Sequence, residues 1–286
     1  MHAEPEPLAF DGVGGVRIAG DRRGDPSRPP VLFLHGGGQT RHSWGGTAAA
    51  VAARGWQALT LDARGHGETD WASDGDYRLV SFAGDVEAVV RSLGEPVVLV
   101  GASLGGLTSI MLEGEQHPGT ARAVVLVDII PAMERGGADR IQDFMAEYVT
   151  AGFASLEEAA DAIAAYNPHR ERPRDLSGLE RNLRRRDGRW YWHWDPRFLG
   201  GIADLPPADM LDVERLDRAV ANMAVPILLV RGRMSDLVSE DGARQFLDRF
   251  PHVEYVDVSG AGHMVVGDRN DAFTEAVVGF LDRHHI

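Results

Sequence analysis

The stretch from Val97 to about His117 constrains the fold of this chain more than any other. Val97-Val-Leu-Val100 is an unbroken apolar run, the pattern of a strand buried on both faces. It runs straight into Gly101-Ala-Ser-Leu-Gly105, and a helical stretch follows. A strand that becomes a helix within so few residues needs glycine where the two backbones approach too closely for a Cβ. The turn thrusts its middle side chain, Ser103, out at the carboxyl end of the strand. Apolar strands joined by helices pack as a mainly parallel sheet covered on both faces.

The same rhythm recurs on either side. Val16 to Gly20 reads as a short edge strand. Val31 to Leu34 is a second buried strand, ending in His35-Gly-Gly-Gly38, and Trp44 to Arg54 is helical. Gln57 to Leu61 is a strand closed by Asp62 and the turn-like Arg64-Gly-His-Gly67. Leu79 to Leu93 is a helix with Gly94 as its stop. Ala123 to Val127 is a strand ending at Asp128. From Pro131 to about Leu211 no buried-strand run occurs, and helical stretches are broken by Pro168, Pro173, Pro196 and Pro206-Pro207. The alternation then returns with strands at Val225 to Val230 and Val253 to Val258 and helices at Glu240 to Phe250 and Asp271 to about Arg283. These patterns predict one α/β core, residues 1–130 and 212–286, interrupted by a mostly helical insertion at 131–211.

Composition narrows the chemistry. The 286 residues include no Cys and no Lys, so all 29 basic residues are Arg. Thiolate nucleophiles, disulfides, Schiff bases and a P-loop lysine are excluded. Covalent catalysis is left to Ser, Thr, Asp, Glu, His or Tyr. The net charge of -14 gives no overall attraction to nucleic acid or to anionic membranes. Met1 to Phe10 lacks the apolar core of a signal peptide, and no apolar run approaches the ~18 residues of a membrane span. No His-x-x-x-His pair, clustered ligand set or dinucleotide fingerprint is present. The expectation is a cytoplasmic protein, monomer or homodimer, acting on a small molecule without metal, cofactor, nucleic acid or membrane.

Gly101-x-Ser103-x-Gly105 between a buried strand and a helix has the context of a nucleophile elbow. A serine hydroxyl is a weak nucleophile and needs a base, usually His, which in turn needs an orienting carboxylate. His263, in Gly260-Ala-Gly-His-Met264 after the last apolar strand, is the best-placed base. Asp236 and Asp128 both follow strands and are the candidate acids. Asp236 is preferred, because its Gly232-containing loop is free to reach His263, whereas Ile129-Ile-Pro131 leads the chain away from Asp128. Leu104, directly after the nucleophile, and Gly37, in the glycine loop, are the expected N–H donors to an oxyanion.

Taken together, the His35-Gly-Gly loop, Asp62-Ala-Arg-Gly-His-Gly67, the elbow at Ser103, the Asp236 loop and the His263 loop resemble the α/β-hydrolase superfamily over about 25–130 and 220–286. The resemblance implies an α/β-hydrolase fold with helices on both faces of a central sheet, a helical cap at 131–211 and the chain order Ser, acid, His. It implies ester or lactone cleavage through an acyl-enzyme. Carbon–carbon bond hydrolases and cofactor-free haloperoxidases or perhydrolases are alternatives. Ser103 at the elbow argues against epoxide hydrolases and haloalkane dehalogenases, which carry Asp there. A non-catalytic ligand-binding member of the fold is the alternative of another class.

Several residues have a structural reading beside a functional one. The Asp62–Gly67 turn reads as structural, with Asp62 satisfying turn N–H groups. His42 and Trp44 follow the glycine loop and are candidates to touch substrate, although Trp44 equally suits an anchor for the next helix. Trp190, Trp192 and Trp194 alternate, so an extended segment places all three indoles on one side. They wall a pocket or form the insertion's own core. Arg170 to Arg189 holds eight Arg and four acids, a run that could attract an anionic substrate but more often forms a solvated helix face with ion pairs.

Overall fold

A computed structural model describes residues 4–166, 172, 175–203, 212–260, 262, 270–284 and 286. Eight strands form one sheet in the order β1-β2-β4-β3-β5-β6-β9-β10. These are β1 (Glu6–Asp11), β2 (Arg17–Arg23), β3 (Pro30–Leu34), β4 (Gln57–Leu61), β5 (Val97–Ala102), β6 (Ala121–Val127), β9 (Ile227–Gly232) and β10 (Val253–Val258). From β4 to β10 every neighbouring pair is parallel, while β1–β2 and β2–β4 are antiparallel. The edge strand β1 was not expected from the sequence. Its alternation of exposed and half-buried residues has no fully buried position to mark it.

Helices cover both faces of this sheet, as a parallel sheet requires. On one side α1 (Gly45–Ala53) and α9 (Asn270–Arg283) pack with Phe33, Trp44, Val100, Val127, Phe273 and Phe280. On the other, α2 (Leu79–Leu93) and α3 (Leu104–Met111) bury the opposite side chains of the same strands, such as Leu32, Leu99 and Leu126. This two-sided burial is why Val97 to Val100 is apolar at every position. Gly94, at φ +79°, stops α2 in the left-handed conformation that only glycine adopts without strain.

The chain leaves the sheet after β6 and returns at β9. Between them lie α4 (Arg135–Glu147), α5 (Leu156–Tyr166), a two-stranded hairpin of β7 (Leu183–Arg186) and β8 (Arg189–Trp192), and α6 (Pro196–Ala203). The hairpin is a departure from the mostly helical expectation. Arginine at three of the four β7 positions hides the strand signal, because its long stems lie along the surface. Then α7 (Val213–Asn222) returns the chain to the core, and α8 (Glu240–Arg249) joins β9 to β10. Among the described residues, no helix is long and apolar enough to cross a membrane.

Candidate active site

The register of the central strands sets the positions of the loops. Leu34 pairs with Leu61 on one side and with Gly101 on the other; Ala102 pairs with Val127, and Val127 with Val230. His35, Asp62, Ser103 and Asp128 therefore leave the sheet side by side at its carboxyl edge, where ligands bind in open α/β folds.

Ser103 sits between β5 and α3 at φ +47° and ψ -113°, a backbone conformation that costs a non-glycine residue about 1–3 kcal/mol. The surroundings enforce it. A Cβ on Gly101 would lie 2.3 Å from the Gly105 carbonyl oxygen, and one on Gly105 would lie 2.4 Å from the Leu34 oxygen. Strand and helix can cross this closely only because both residues are glycine. The Ser103 N–H donates to the Val127 carbonyl at 3.3 Å, tying the turn to the end of β6. Ser103 itself is half-buried.

The glycine loop lies against this turn, since a Cβ on Gly36 would be 3.3 Å from the Ser103 Cβ. Two of its amide groups are engaged: Gly36 N–H donates to Gln39 Oε1 at 3.0 Å and Gly38 N–H to His66 Nε2 at 3.1 Å. Among the described residues, the N–H groups of Gly37 and Leu104 meet no acceptor. They are the open donors on either side of Ser103, and Leu104 is at the amino end of α3, where negative charge is favoured.

The two candidate aspartates differ in setting. Asp128 is fully buried, at φ +50°, with its carboxylate accepting from Gly232 N–H at 3.1 Å and Ser235 Oγ–H at 2.6 Å. Asp236 is half-buried and paired with Arg140 of α4 at 2.9 Å. His263 lies outside the described residues.

The excursion between β6 and β9 roofs the glycine loop. A Cβ on Gly37 would touch Phe198 at 3.4 Å, and one on Gly38 would meet Met145 at 3.0 Å and Trp194 at 3.3 Å. The Trp192 and Trp194 rings stack at 4.8 Å, and Phe153 meets Trp192 edge-on. Both indoles are buried. Trp190 is only half-buried, with Arg185 over its ring and its backbone bridged to Phe153. Trp44 packs between Phe33 and Phe273 in the core layer beside α1 and α9, as the anchor of α1. His42 is partly exposed, with Asp21 4.0 Å away.

Residues 62–77 carry the docking surface for this excursion. Asp62 accepts from the N–H groups of Arg41 and Glu68 and from the Arg41 guanidinium, and Gly67 is needed because a Cβ there would collide with the Asp62 carboxylate. Tyr77 Oη–H donates to Asp195 at 2.6 Å, Asp195 N–H to Gly65 O at 2.9 Å, and Gly67 N–H to His193 Nδ1 at 2.7 Å. Burial lowers the pKa of His35 and His193 and pushes His66 down to about 3, so all three imidazoles are neutral at pH 7. Met145, His193, Asp195 and Phe198 were not singled out in the sequence. The signal at hand was a histidine and an aspartate set within a run of three tryptophans.

A profile of the alpha/beta hydrolase fold matches residues 29–269. The chain belongs to that family. It is 34% identical over 287 residues to esterase Rv0045c of Mycobacterium tuberculosis, covering 98% of this chain and 89% of the relative. The crystal structure of that esterase superposes with a TM-score of 0.73 at 31% identity, covering 98% of this chain and 93% of that one. A 2-(acetamidomethylene)succinate hydrolase of Mesorhizobium japonicum is 29% identical, covering 93% and 92%. The crystal structure of an E-2-(acetamidomethylene)succinate hydrolase, 23% identical, shares the fold at a TM-score of 0.85, covering 98% and 100%. Family and relatives support hydrolase activity.

Proposed function

We propose that this α/β hydrolase is a serine hydrolase that cleaves a carboxylic ester or lactone through an acyl-enzyme. Ser103 is the nucleophile, His263 the base, Asp128 the orienting acid, and the N–H groups of Gly37 and Leu104 hold the oxyanion. The observation that carries this reading is the pair of open amide donors flanking a serine held in a strained turn. His263 takes the Ser103 proton as Oγ attacks the carbonyl carbon. The negative charge on the carbonyl oxygen is held by the two N–H groups, and the imidazolium returns its proton to the leaving alcohol. Water, activated by the same imidazole, releases the acid.

Two observations support Asp128 over Asp236 as the acid. Asp128 directly follows Val127, whose carbonyl binds the Ser103 N–H, and its carboxylate is oriented by Gly232 and Ser235. The Asp236 carboxylate is committed to the Arg140 guanidinium, a partner that competes with an imidazolium. Asp236 remains the alternative acid. Residues 131–211 serve as a cap, and its Met145, Trp194 and Phe198 make an apolar roof suited to an uncharged acyl group.

The test is labelling by a fluorophosphonate probe together with hydrolysis of p-nitrophenyl esters of increasing chain length and of a few lactones. Labelling lost in Ser103→Ala, with ester turnover in the parent protein, supports the assignment. A protein that is neither labelled nor active on any of these substrates is a ligand-binding member of the fold, and the reading fails.

A further inference from the structure

Three successive peptide groups of the glycine loop are each held by a buried imidazole. His35 Nε2 accepts from Ala63 N–H at 2.9 Å, so its proton is on Nδ1 and is donated to Gly36 O at 2.8 Å. That carbonyl shares a peptide group with the Gly37 N–H, and in a trans peptide the two point in opposite directions. His66 Nε2 accepts from Gly38 N–H, so its Nδ1 carries the proton and donates to Arg64 O at 3.0 Å. His193 Nδ1 accepts from Gly67 N–H, which leaves the proton on Nε2, donated to Gly38 O at 3.3 Å. Backbone donors thus fix all three tautomers. The rings stand in a row, with centroids 5.3 Å apart for His35 and His66 and 5.7 Å for His66 and His193.

His35 and His66 belong to the core loops. His193 does not: it is carried by the excursion between β6 and β9, just after β8. We propose that His193 is a positioning residue through which the docked cap completes the oxyanion-binding loop. This rests on the reading of Gly37 as an oxyanion donor. The three successive glycines carry no side chains of their own; the Gln39 side chain braces Gly36, and the buried imidazoles brace the peptides that follow. Holding Gly38 from the core side through His66 and from the cap side through His193 removes the freedom of the peptide next to the Gly37 N–H. Without the His193 N–H the Gly38 carbonyl loses this donor and the loop relaxes, so the oxyanion is held less well even where the rest of the cap stays docked.

The experiment compares His193→Asn, His193→Gln and Tyr77→Phe. Asn places its side-chain oxygen near the position of Nδ1, keeping the Gly67 bond but losing the donor to Gly38; Gln reaches the level of Nε2 and restores that donor. Tyr77→Phe removes a different docking bond, to Asp195. Thermal melts, kcat and KM on one ester, and the affinity of an alkyl boronic acid, which forms a tetrahedral adduct on the serine, are measured for each. His193→Asn is expected to lower kcat and boronate affinity about 10–100-fold with KM within about threefold, less than the 10²–10³ for removing an oxyanion donor outright. His193→Gln recovers most of both, and Tyr77→Phe lowers the melting temperature with kcat nearly unchanged. The proposal is overturned if His193→Asn keeps wild-type kcat and boronate affinity, or if Tyr77→Phe reduces them equally. If His193→Asn does not fold, a fall of more than tenfold in kcat in a folded His193→Gln protein overturns it, and wild-type kcat there supports it. A parent protein that neither turns over ester nor binds boronate refutes the serine-hydrolase reading itself, which is a separate outcome.

Discussion

Ser235 Oγ donates to the Asp128 carboxylate at 2.6 Å and accepts from the N–H groups of Leu237 and Val238, so one hydroxyl ties the end of β6 to the loop after β9. The bond gives Asp128 a fixed orientation and places Ser235, not its neighbour Asp236, on the carboxylate proposed as the acid. Asp128→Asn keeps the shape but removes the charge. A loss of several orders of magnitude in kcat is expected, on the scale of the ~10⁴ seen for the equivalent change in a serine protease. Asp236→Asn, which breaks only a half-exposed ion pair, is expected to cost less than about tenfold. Steady-state kinetics of the two variants decide the assignment, and the opposite ranking assigns the acid to Asp236.

Ser103→Ala is expected to abolish ester hydrolysis, by about 10⁴-fold or more. The fold persists in this variant, because alanine removes a half-buried hydroxyl and relieves none of the packing around Gly101 and Gly105. Circular dichroism alongside turnover checks both halves of the statement.

The three tryptophans of the insertion are predicted to separate. Trp194→Ala removes the partner stacked on Trp192 and the ring over Gly38. It should cost about 3–5 kcal/mol of stability, as for a buried aromatic, and shift KM along an acyl-chain series. Trp190→Ala, at a half-buried ring, should cost less than about 1.5 kcal/mol and leave chain-length preference unchanged. Equal shifts in selectivity for both variants would show that the pocket is not walled by Trp194.

Stability is predicted to depend on pH through the buried histidines. His66, His35 and His193 stay neutral in the folded protein, while in the unfolded chain each takes up a proton near pH 6.5. Below that pH the unfolded state binds more protons, so stability falls as pH falls, from about 6.5 toward the folded value of about 3 for His66. His66 contributes up to about 1.4 kcal/mol per pH unit in that window, and His35 and His193 act in the same direction below about pH 6.5. Burial outweighs the opposing attraction of Asp62 and Asp195 for a protonated His66. Urea melts at pH 7.5 and 5.0 test this, and His193→Asn is expected to flatten the difference. A pH-independent midpoint would refute it.

Much of the fold was legible because the central strands β3 and β5 are apolar at every position and their neighbours nearly so. The turn at Ser103 could be read from the flanking Gly101 and Gly105, since a Cβ at either would collide with neighbouring backbone. The sequence alone does not choose the acid. Asp128 and Asp236 both follow core strands, and what distinguishes their settings is a hydroxyl from one loop and a guanidinium from a helix, neither predictable from spacing. The histidine row was illegible for the same reason. His35, His66 and His193 come from three distant segments, and only the packed fold makes them neighbours.

The strand β6 holds a position with a consequence for how the molecule is made. It pairs with β5 on one side and with β9 on the other, yet β6 ends at Val127 and β9 begins at Ile227. A chain emerging from the ribosome at roughly 5–20 residues per second leaves the β6 edge, Val124 to Val127, unpaired for on the order of ten seconds while the insertion is synthesised. An open apolar edge is a template for pairing with another chain. Truncation ahead of Ile227 would make that exposure permanent, and such fragments should accumulate as aggregates even though the elbow is complete within them.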